Sequence, residues 1–524
     1  MGGFKQIRQT DRRTGRTYVY ETQMEYDKAK KRTVLKNRRL IGHVDEGTGE
    51  VVPNRPTKAQ PSSAKTARRY VGASILLDHV VEATGIREDL CLAAPGIADK
   101  ALSLAYYLVV EDSGPMSRFG RFDKTHAHPY GREITSQRAS EAFSSLGADV
   151  AEGFCRLRSA RREEGGYWFY DTTSISSYSE GLRCARWGKN KDGAPLAQIN
   201  LAVLMDAPSG LPFYFRRMPG NIADVSTVRK LLDDVRHMGT GKARIACDRG
   251  FWSAKNINAM MAAHIKFLIG ASTSLAFVKV QIKEHSAELR SWQSFDESAG
   301  LFGLKVPVQW GPEGAPPQKG VAGRQKKRAY LHIYYSAARA AEDEGALAAL
   351  LKACSRELGE DNRIEAHERY YDAWFKRGRG GVWAGRSDAI DEARSLFGYF
   401  ALFTNDASLT PKEALGVYRG KDSVEKAFSD IKTRLDFRTP KVSTEEALDG
   451  KILVVFISLI IVSWLKQKMA ESGLGERWTL QGLVDEVDTI ERFERPGHKA
   501  RILEVTKKQK EIFEALGFEA PVAS

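Results

Sequence analysis

The sequence predicts an α/β fold in which one sheet is assembled from widely separated segments, and three observations carry that prediction. Runs rich in aromatic and β-branched residues, GYWFYDTT at 166–173, AQINLAVLMDAPSGLPFYFRRMPGN at 197–221 and ARIACDRGF at 243–251, read as strands, with VSTVRKLLDDVRHMG reading as a helix before the third. Two antiparallel strands about a Pro-Ser-Gly turn are thus followed by a helix and a returning strand. Long stretches on either side repeat apolar residues at three- and four-residue steps, the helical period.

Taken in order, residues 1–69 form a basic segment with strand-like pieces, TYVYETQM and TVLKNRRLIGHV, ending in the linker PNRPTKAQPSSAKTARR. Residues 70–162 read as a helical module through ASILLDHVVEATG, IADKALSLAYYLVVED and SQRASEAFSSLGADVAEGFCRLRSARR. A central α/β region is expected over 163–264 and 396–470. That two-part α/β region is interrupted over 265–395 by a mainly β insertion, read from IKFLIGAS, FVKVQIKEH, GLKVPVQW and AYLHIYYS, with one Ala/Leu-rich helix near 338–358. GYFALFTN at 397–404 returns as a buried strand, and a helical C-terminal region fills 471–524.

The 524 residues carry a net charge of +14, and the first 70 hold 17 Lys plus Arg against 7 Asp plus Glu, a surplus of +10. Such asymmetry suits a polyanionic partner as well as a solvated basic tail. Cys91, Cys155, Cys184, Cys247 and Cys354 are scattered without CxxC spacing, which argues against a disulfide framework or a zinc site and fits a reducing cytoplasm. The most apolar run, Ile452 to Leu465, is too short between its flanking lysines to span a bilayer and reads as a buried helix. No membrane role is expected.

The chemistry-bearing residues are acidic. Asp171 and Asp248 each close a strand-like run, where open sheets present ligands and catalytic groups. In VYRGKDSVEKAFSDIK, read as one helix, Tyr418, Lys421, Glu425 and Lys432 fall within roughly 60° of one another at about 100° per residue. A carboxylate flanked by a phenol and two ammonium groups suits a metal ion beside a phosphate backbone, although an exposed helix with ion pairs would look the same.

This stripe resembles the Y-x2-R-x3-E-x6-K signature of one large group of DDE transposases of bacterial insertion sequences. YDTTSI around Asp171, MPGN at 218–221 and CDRGF around Asp248 are similar to the other blocks of that group, as is a β-strand insertion before the glutamate, so the resemblance covers at least residues 165–465. Lys421 stands at the signature arginine position, keeping the charge but losing bidentate phosphate contact.

The resemblance implies a ribonuclease H-like core in which Asp171, Asp248 and Glu425 hold two divalent ions, Mg²⁺ with Mn²⁺ as a substitute. It also implies DNA cleavage at element ends and strand transfer, double-stranded DNA with terminal inverted repeats and target DNA as partner, a homodimer on DNA, and a bacterial cytoplasmic, nucleoid-associated location. Three carboxylates without His or Cys agree with Mg²⁺ chemistry, since phosphodiester cleavage must activate a nucleophile and neutralise both entering and leaving oxygens. Tyr418, Lys421, Lys432, Arg249 and Arg438 are candidate DNA contacts, with Lys441 beside them, and Asn221 is a candidate orienting residue. Trp292, Trp310 and Trp383 are weighed as base-stacking platforms against core positions, and His126 and His128 as loop residues. A nuclease that cuts without joining, and a domesticated DNA-binding protein without catalysis, are the alternative readings; the three intact acids speak against the second.

Overall fold

The computed structural model describes residues 4–27, 31–53, 67–237, 243–311, 327–378, 382–495 and 498–523, so most of the linker expected near 53–69 lies outside the described residues. Two compact units emerge, one of residues 1–67 with 493–500 and one of 68–492 with 501–524.

The smaller unit is an antiparallel meander, β1 (Phe4–Thr10), β2 (Thr17–Asp27), β3 (Arg32–Val44) and β4 (Val51–Pro53), paired in that order. Its tight turns are set by aspartates. The Asp11 carboxylate accepts from the Arg13 N–H and the Thr14 hydroxyl, both at 2.9 Å, and Asp45 does the same for Gly47 and Thr48. An Asp at the head of a turn supplies an acceptor for backbone N–H groups that have no strand partner.

The larger unit is entered through β5 (Ala67–Tyr70) and begins with helices α1 (Gly72–Ala83), α2 (Ile86–Ala93), α3 (Ala98–Val110), α4 (Phe119–Thr125), α5 (Ser136–Ser145) and α6 (Ala148–Ala160). Strands β6 (Tyr167–Ser176), β7 (Gln198–Asp206) and β8 (Pro212–Pro219) follow, then α7 (Asp224–His237), β9 (Arg244–Cys247), α8 (Ala254–Ala262) and β10 (Lys266–Ala271). Within the sheet these five strands lie in the order β8-β7-β6-β9-β10, with β6 and β7 antiparallel, β7 and β8 antiparallel, and β6, β9 and β10 parallel.

The segment 265–395 departs from the mainly β insertion expected. FVKVQIKEH forms no strand. It lies in helix α9 (Ala276–Leu289), whose buried Val278 and Ile282, four residues apart, face the sheet, so the alternation read as strand is incidental to a helical face. After β11 (Phe295–Asp296), β12 (Leu301–Trp310) and β13 (Lys327–Tyr335) come α10 (Ala337–Gly359), α11 (Glu368–Trp374), β14 (Phe375–Arg377), β15 (Trp383–Gly385) and α12 (Ser387–Arg394), so helix outweighs strand. Strand β16 (Tyr399–Thr404) pairs antiparallel with both β10 and β13. Strands β11, β12, β13 and β16 therefore extend the main sheet to nine, in the order β11-β12-β13-β16-β10-β9-β6-β7-β8, while β14 and β15 pair only with each other.

Helices α13 (Pro411–Gly420), α14 (Asp422–Lys432) and α15 (Glu445–Glu471) complete the central part, followed by α16 (Leu480–Asp488), β17 (Glu491–Glu494), β18 (Arg501–Ile502) and α17 (Lys507–Ala515). Alternate residues of β6 divide between two cores. Tyr167 and Phe169 join the one built with α1, α3, α5 and α15, whereas Trp168 and Tyr170 join the one beneath α7, α8 and α9. Helix α15 is long and apolar enough to cross a membrane by length and composition, but 83% of its apolar stretch is buried, as befits the helix on which the first core is built.

Candidate active site

Asp171 follows Tyr170, which pairs with Cys247, the last residue of β9, so Asp171 and Asp248 are the next residues along two adjacent parallel strands. Asp171 does not end its strand, as the run of aromatics had suggested; β6 continues through Ser176 because Thr172 to Ser176 still pair with β7. What ends there is the parallel pairing, and this frees the edge on which the two acids meet. By strand alternation Asp171 shares a face with Phe169, the face covered by α14.

Glu425 reaches that face from α14. The expected single helix is in fact two, joined at Lys421, where the bonds tighten to Lys421 N–H on the Tyr418 carbonyl (3.3 Å) and Val424 N–H on the Lys421 carbonyl (2.9 Å). The reason is packing: a Cβ on Gly420 would lie 2.7 Å from the Phe169 ring, so the chain crosses the sheet here without a side chain. Tyr418 thus projects from α13 and Glu425 from α14, yet both arrive at the same place. The Tyr418 hydroxyl donates to Asp248 Oδ1 at 2.9 Å, in space left open by Gly270, whose Cβ would stand 2.7 Å from that oxygen.

Lys421 ties the acids together. Its buried ammonium donates to Glu425 Oε1 at 2.8 Å and stands 4.0 Å from Asp248 Oδ1, and both carboxylates, with Asp171, raise its pKa against the opposing effect of burial. Burial raises the Asp171 carboxyl, and the charges of Lys191 and Lys421 and the Thr172 N–H only partly offset this. Burial would raise Asp248 too, but Lys421, the Tyr418 hydroxyl and Arg249 outweigh it and hold the group below its ordinary value. Tyr418 itself is raised by burial and by its acidic partner.

Two residues that sequence reasoning missed complete the surroundings of Asp171. Lys191, in the 177–197 connection, donates to the Thr172 carbonyl at 2.6 Å and lies 3.1 Å from Asp224 Oδ2 and 3.9 Å from Asp171 Oδ1. Asp224, in the first turn of α7, also accepts from the Thr172 hydroxyl at 2.6 Å. Neither belongs to a periodic pattern. The hint was Asp224 three residues beyond the MPGN block, and for Lys191 only the basic, glycine-containing character of WGKNKDG.

The remaining candidates divide. Lys432, expected as a DNA contact, has a carboxylate partner within the chain: it donates to Asp192 Oδ1 at 2.7 Å, because the 177–197 connection folds over the end of α14. Arg249 is exposed beside Asp248, Arg438 is exposed after α14, and Lys441 pairs with Asp436 at 2.8 Å. Asn221 is exposed in the turn after β8. Trp310 is a core residue whose indole N–H donates to Asn258 Oδ1 at 2.8 Å, Trp383 packs half-buried on a minor core, and Trp292 is 82% exposed. His126 and His128 are buried and bonded to Asp488 and Asp123, a structural pair.

Three carboxylates around one buried cation, with no thiol or imidazole among them, form a donor set that fits hard divalent ions. Lys421 stands where such positive charge is needed. Among solved structures, the chain is similar to the piggyBac transposase in a synaptic complex with hairpin DNA, at 10% identity and a TM-score of 0.36, over 81% of this chain and 82% of that one. No curated protein matches it. Residues 169–461, which contain Asp171, Asp248 and Glu425, match the Transposase DDE domain, and the chain belongs to that family of DNA-transposition enzymes.

Proposed function

We propose that this protein is the transposase of a bacterial insertion sequence, cutting double-stranded DNA at the element's terminal repeats and joining the freed ends to target DNA. The observation that carries this reading is the Lys421 ammonium 2.8 Å from Glu425 and 4.0 Å from Asp248, with Asp171 beside Asp248 on the adjacent parallel strand, within a domain of the transposase family. The order β8-β7-β6-β9-β10, with two acids at the edge of the parallel pair and the third on a helix across the face, supports a ribonuclease H-like core.

Asp171, Asp248 and Glu425 would hold two divalent ions, Mg²⁺ by the preference of an all-carboxylate set and Mn²⁺ as a substitute, which when bound activate the attacking oxygen and neutralise charge on the leaving one. Tyr418 fixes the rotation of the Asp248 carboxylate through its hydrogen bond. Lys421, Arg249 and Lys432 provide cations for substrate phosphates around the acids, with Arg438 beyond α14, and the basic N-terminal unit provides a separate positive surface for DNA. The same arrangement serves water in the cutting step and a DNA 3′-hydroxyl in the joining step. A homodimer on DNA, which pairs two element ends, completes the proposal.

Glu425→Gln tests it by keeping size while removing one ligand charge. Cleavage of DNA bearing the terminal repeats should be lost in Mg²⁺ and Mn²⁺ while binding of that DNA stays within a few-fold of the parent protein. Cleavage at the parental rate would refute the three-carboxylate mechanism, and cleavage without joining by the parent protein would leave a nuclease.

A further inference from the structure

A second cluster of metal-ligating side chains lies far along the chain from the three acids, at the end of α10. We propose that Cys354, Glu357 and His367 form a binding site for a thiophilic divalent cation, Zn²⁺ by its chemistry, which pins α10 to α11. This inference does not depend on the transposition reading.

The three residues are brought together by local folding. Cys354 and Glu357 stand three residues apart on α10 and so share a face. The chain then reverses, with the Asn362 N–H on the Glu357 carbonyl at 2.9 Å and Asp361 in the left-handed region at φ +50°, and the turn Glu365–His367 returns the imidazole to that face. One sulfur, one nitrogen and one oxygen result, all within 4.8 Å of one another, and among the described residues no other trio of His, Cys and acidic side chains gathers so closely. His367 Nδ1 lies 2.9 and 3.0 Å from the two Glu357 oxygens.

The donor set and its surroundings suit zinc. Thiolate, imidazole and carboxylate together favour Zn²⁺ over Mg²⁺ or Ca²⁺, which prefer oxygen alone. Cys354 and Glu357 are buried at 0% and 5% exposure, and His367 is half-exposed, which leaves a path for the ion and room for a fourth ligand from solvent. The carboxylate is already oriented from behind: the fully buried Tyr371 donates its hydroxyl to Glu357 Oε2 at 2.6 Å and accepts the Ile364 N–H at 2.9 Å. Partners of this kind set the direction of a metal ligand. The gain to the fold is also clear, since the buried core here is only Cys354, Leu358, Tyr371 and Phe375, and a core so small is commonly stapled by a metal.

Burial and the neighbouring Glu357 raise the Cys354 thiol, so in the absence of a cation it carries its proton. Binding exchanges that proton for the metal–sulfur bond and releases it to solvent, with no change of oxidation state.

The test uses the full chain, stripped of metal and titrated first with Co²⁺ and then with Zn²⁺. The parent protein should develop the near-ultraviolet thiolate-to-cobalt absorption and strong visible bands of a four-coordinate site at one equivalent, and Zn²⁺ should abolish them. Cys354→Ser should lose the thiolate band, His367→Ala should weaken Co²⁺ binding by at least about 10-fold, and Asp171→Asn with Glu425→Gln should leave the band intact. Absence of a thiolate band in the parent, or its persistence in Cys354→Ser, would overturn the proposal. If Cys354→Ser fails to fold, His367→Ala decides alone, and unchanged affinity there overturns it equally.

Discussion

Asp171 is held in conditions that disfavour its own charge. Burial raises its carboxyl, and the nearest ammonium, that of Lys191, lies 3.9 Å away and closer to Asp224. A carboxyl whose pKa rises on folding costs nothing below its ordinary value, and destabilises the fold increasingly as the pH climbs from that value through the raised one. Asp171→Asn should therefore melt at or above the parent temperature at neutral pH in chelator, with the gap closing as the pH drops below the ordinary aspartate range. Its metal-dependent cleavage should vanish. A lower melting temperature at neutral pH would mean that Lys191 stabilises the charge more than burial opposes it. By the same reasoning, the acid limb of Mg²⁺ affinity in the parent should lie above the pH at which a free aspartate titrates.

The elements place these residues by contacts that the sequence discloses unevenly. The strand through Tyr167, Trp168, Phe169 and Tyr170 was legible from its aromatic run, whereas its division between two cores was not, because both faces of β6 are covered and the run shows no alternation. The convergence of Tyr418 and Glu425 was legible as a stripe, but the break at Lys421 was not, since it follows from Phe169 lying under Gly420, a contact 251 residues away in the chain (420 minus 169). Gly420→Ala should cost about 1–3 kcal/mol through overpacking, less the ~1 kcal/mol that alanine returns to a helix. Chemical denaturation of that variant, with and without Phe169→Leu to make room, measures the contact; equal stabilities in all backgrounds would show the crossing to be loose.

Helix α14 also meets the 177–197 connection, through Lys432 and Asp192. If Lys432 exchanges this carboxylate for a DNA phosphate, Lys432→Ala should lower affinity for all DNA sequences alike and shallow the slope of log affinity against log salt by about one. An unchanged slope, with a loss of about 0.5 kcal/mol in stability, would assign Lys432 to holding the connection in place. The strand reading of FVKVQIKEH failed for a related reason. Its β-branched residues are equally suited to a helix whose Val278 and Ile282 are buried, and only the packing partner decides between them.

At the scale of the whole molecule, one continuous nine-stranded sheet presents Asp171 and Asp248 and takes in β10, β11, β12, β13 and β16 from the segment between Asp248 and Glu425. The family and the order of the acids were readable from short blocks, whereas Lys191, Asp224 and the Cys354 cluster required the tertiary structure, because each depends on a turn that brings isolated residues together without periodicity. The buried ammonium of Lys421 among the three acids has a further consequence for the protein between tasks. Groups of unbalanced carboxylates usually strain a metal-free enzyme, but here a tethered positive charge beside Glu425 and Asp248 offsets their mutual repulsion, so the strain left in the empty protein centres on Asp171. We expect millimolar Mg²⁺ without DNA to raise its melting temperature only modestly above that in EDTA, and a large rise with Mg²⁺ alone would contradict this. On this reading the empty site rests in partial charge balance, and incoming ions and phosphates take over contacts that the lysine holds in the meantime.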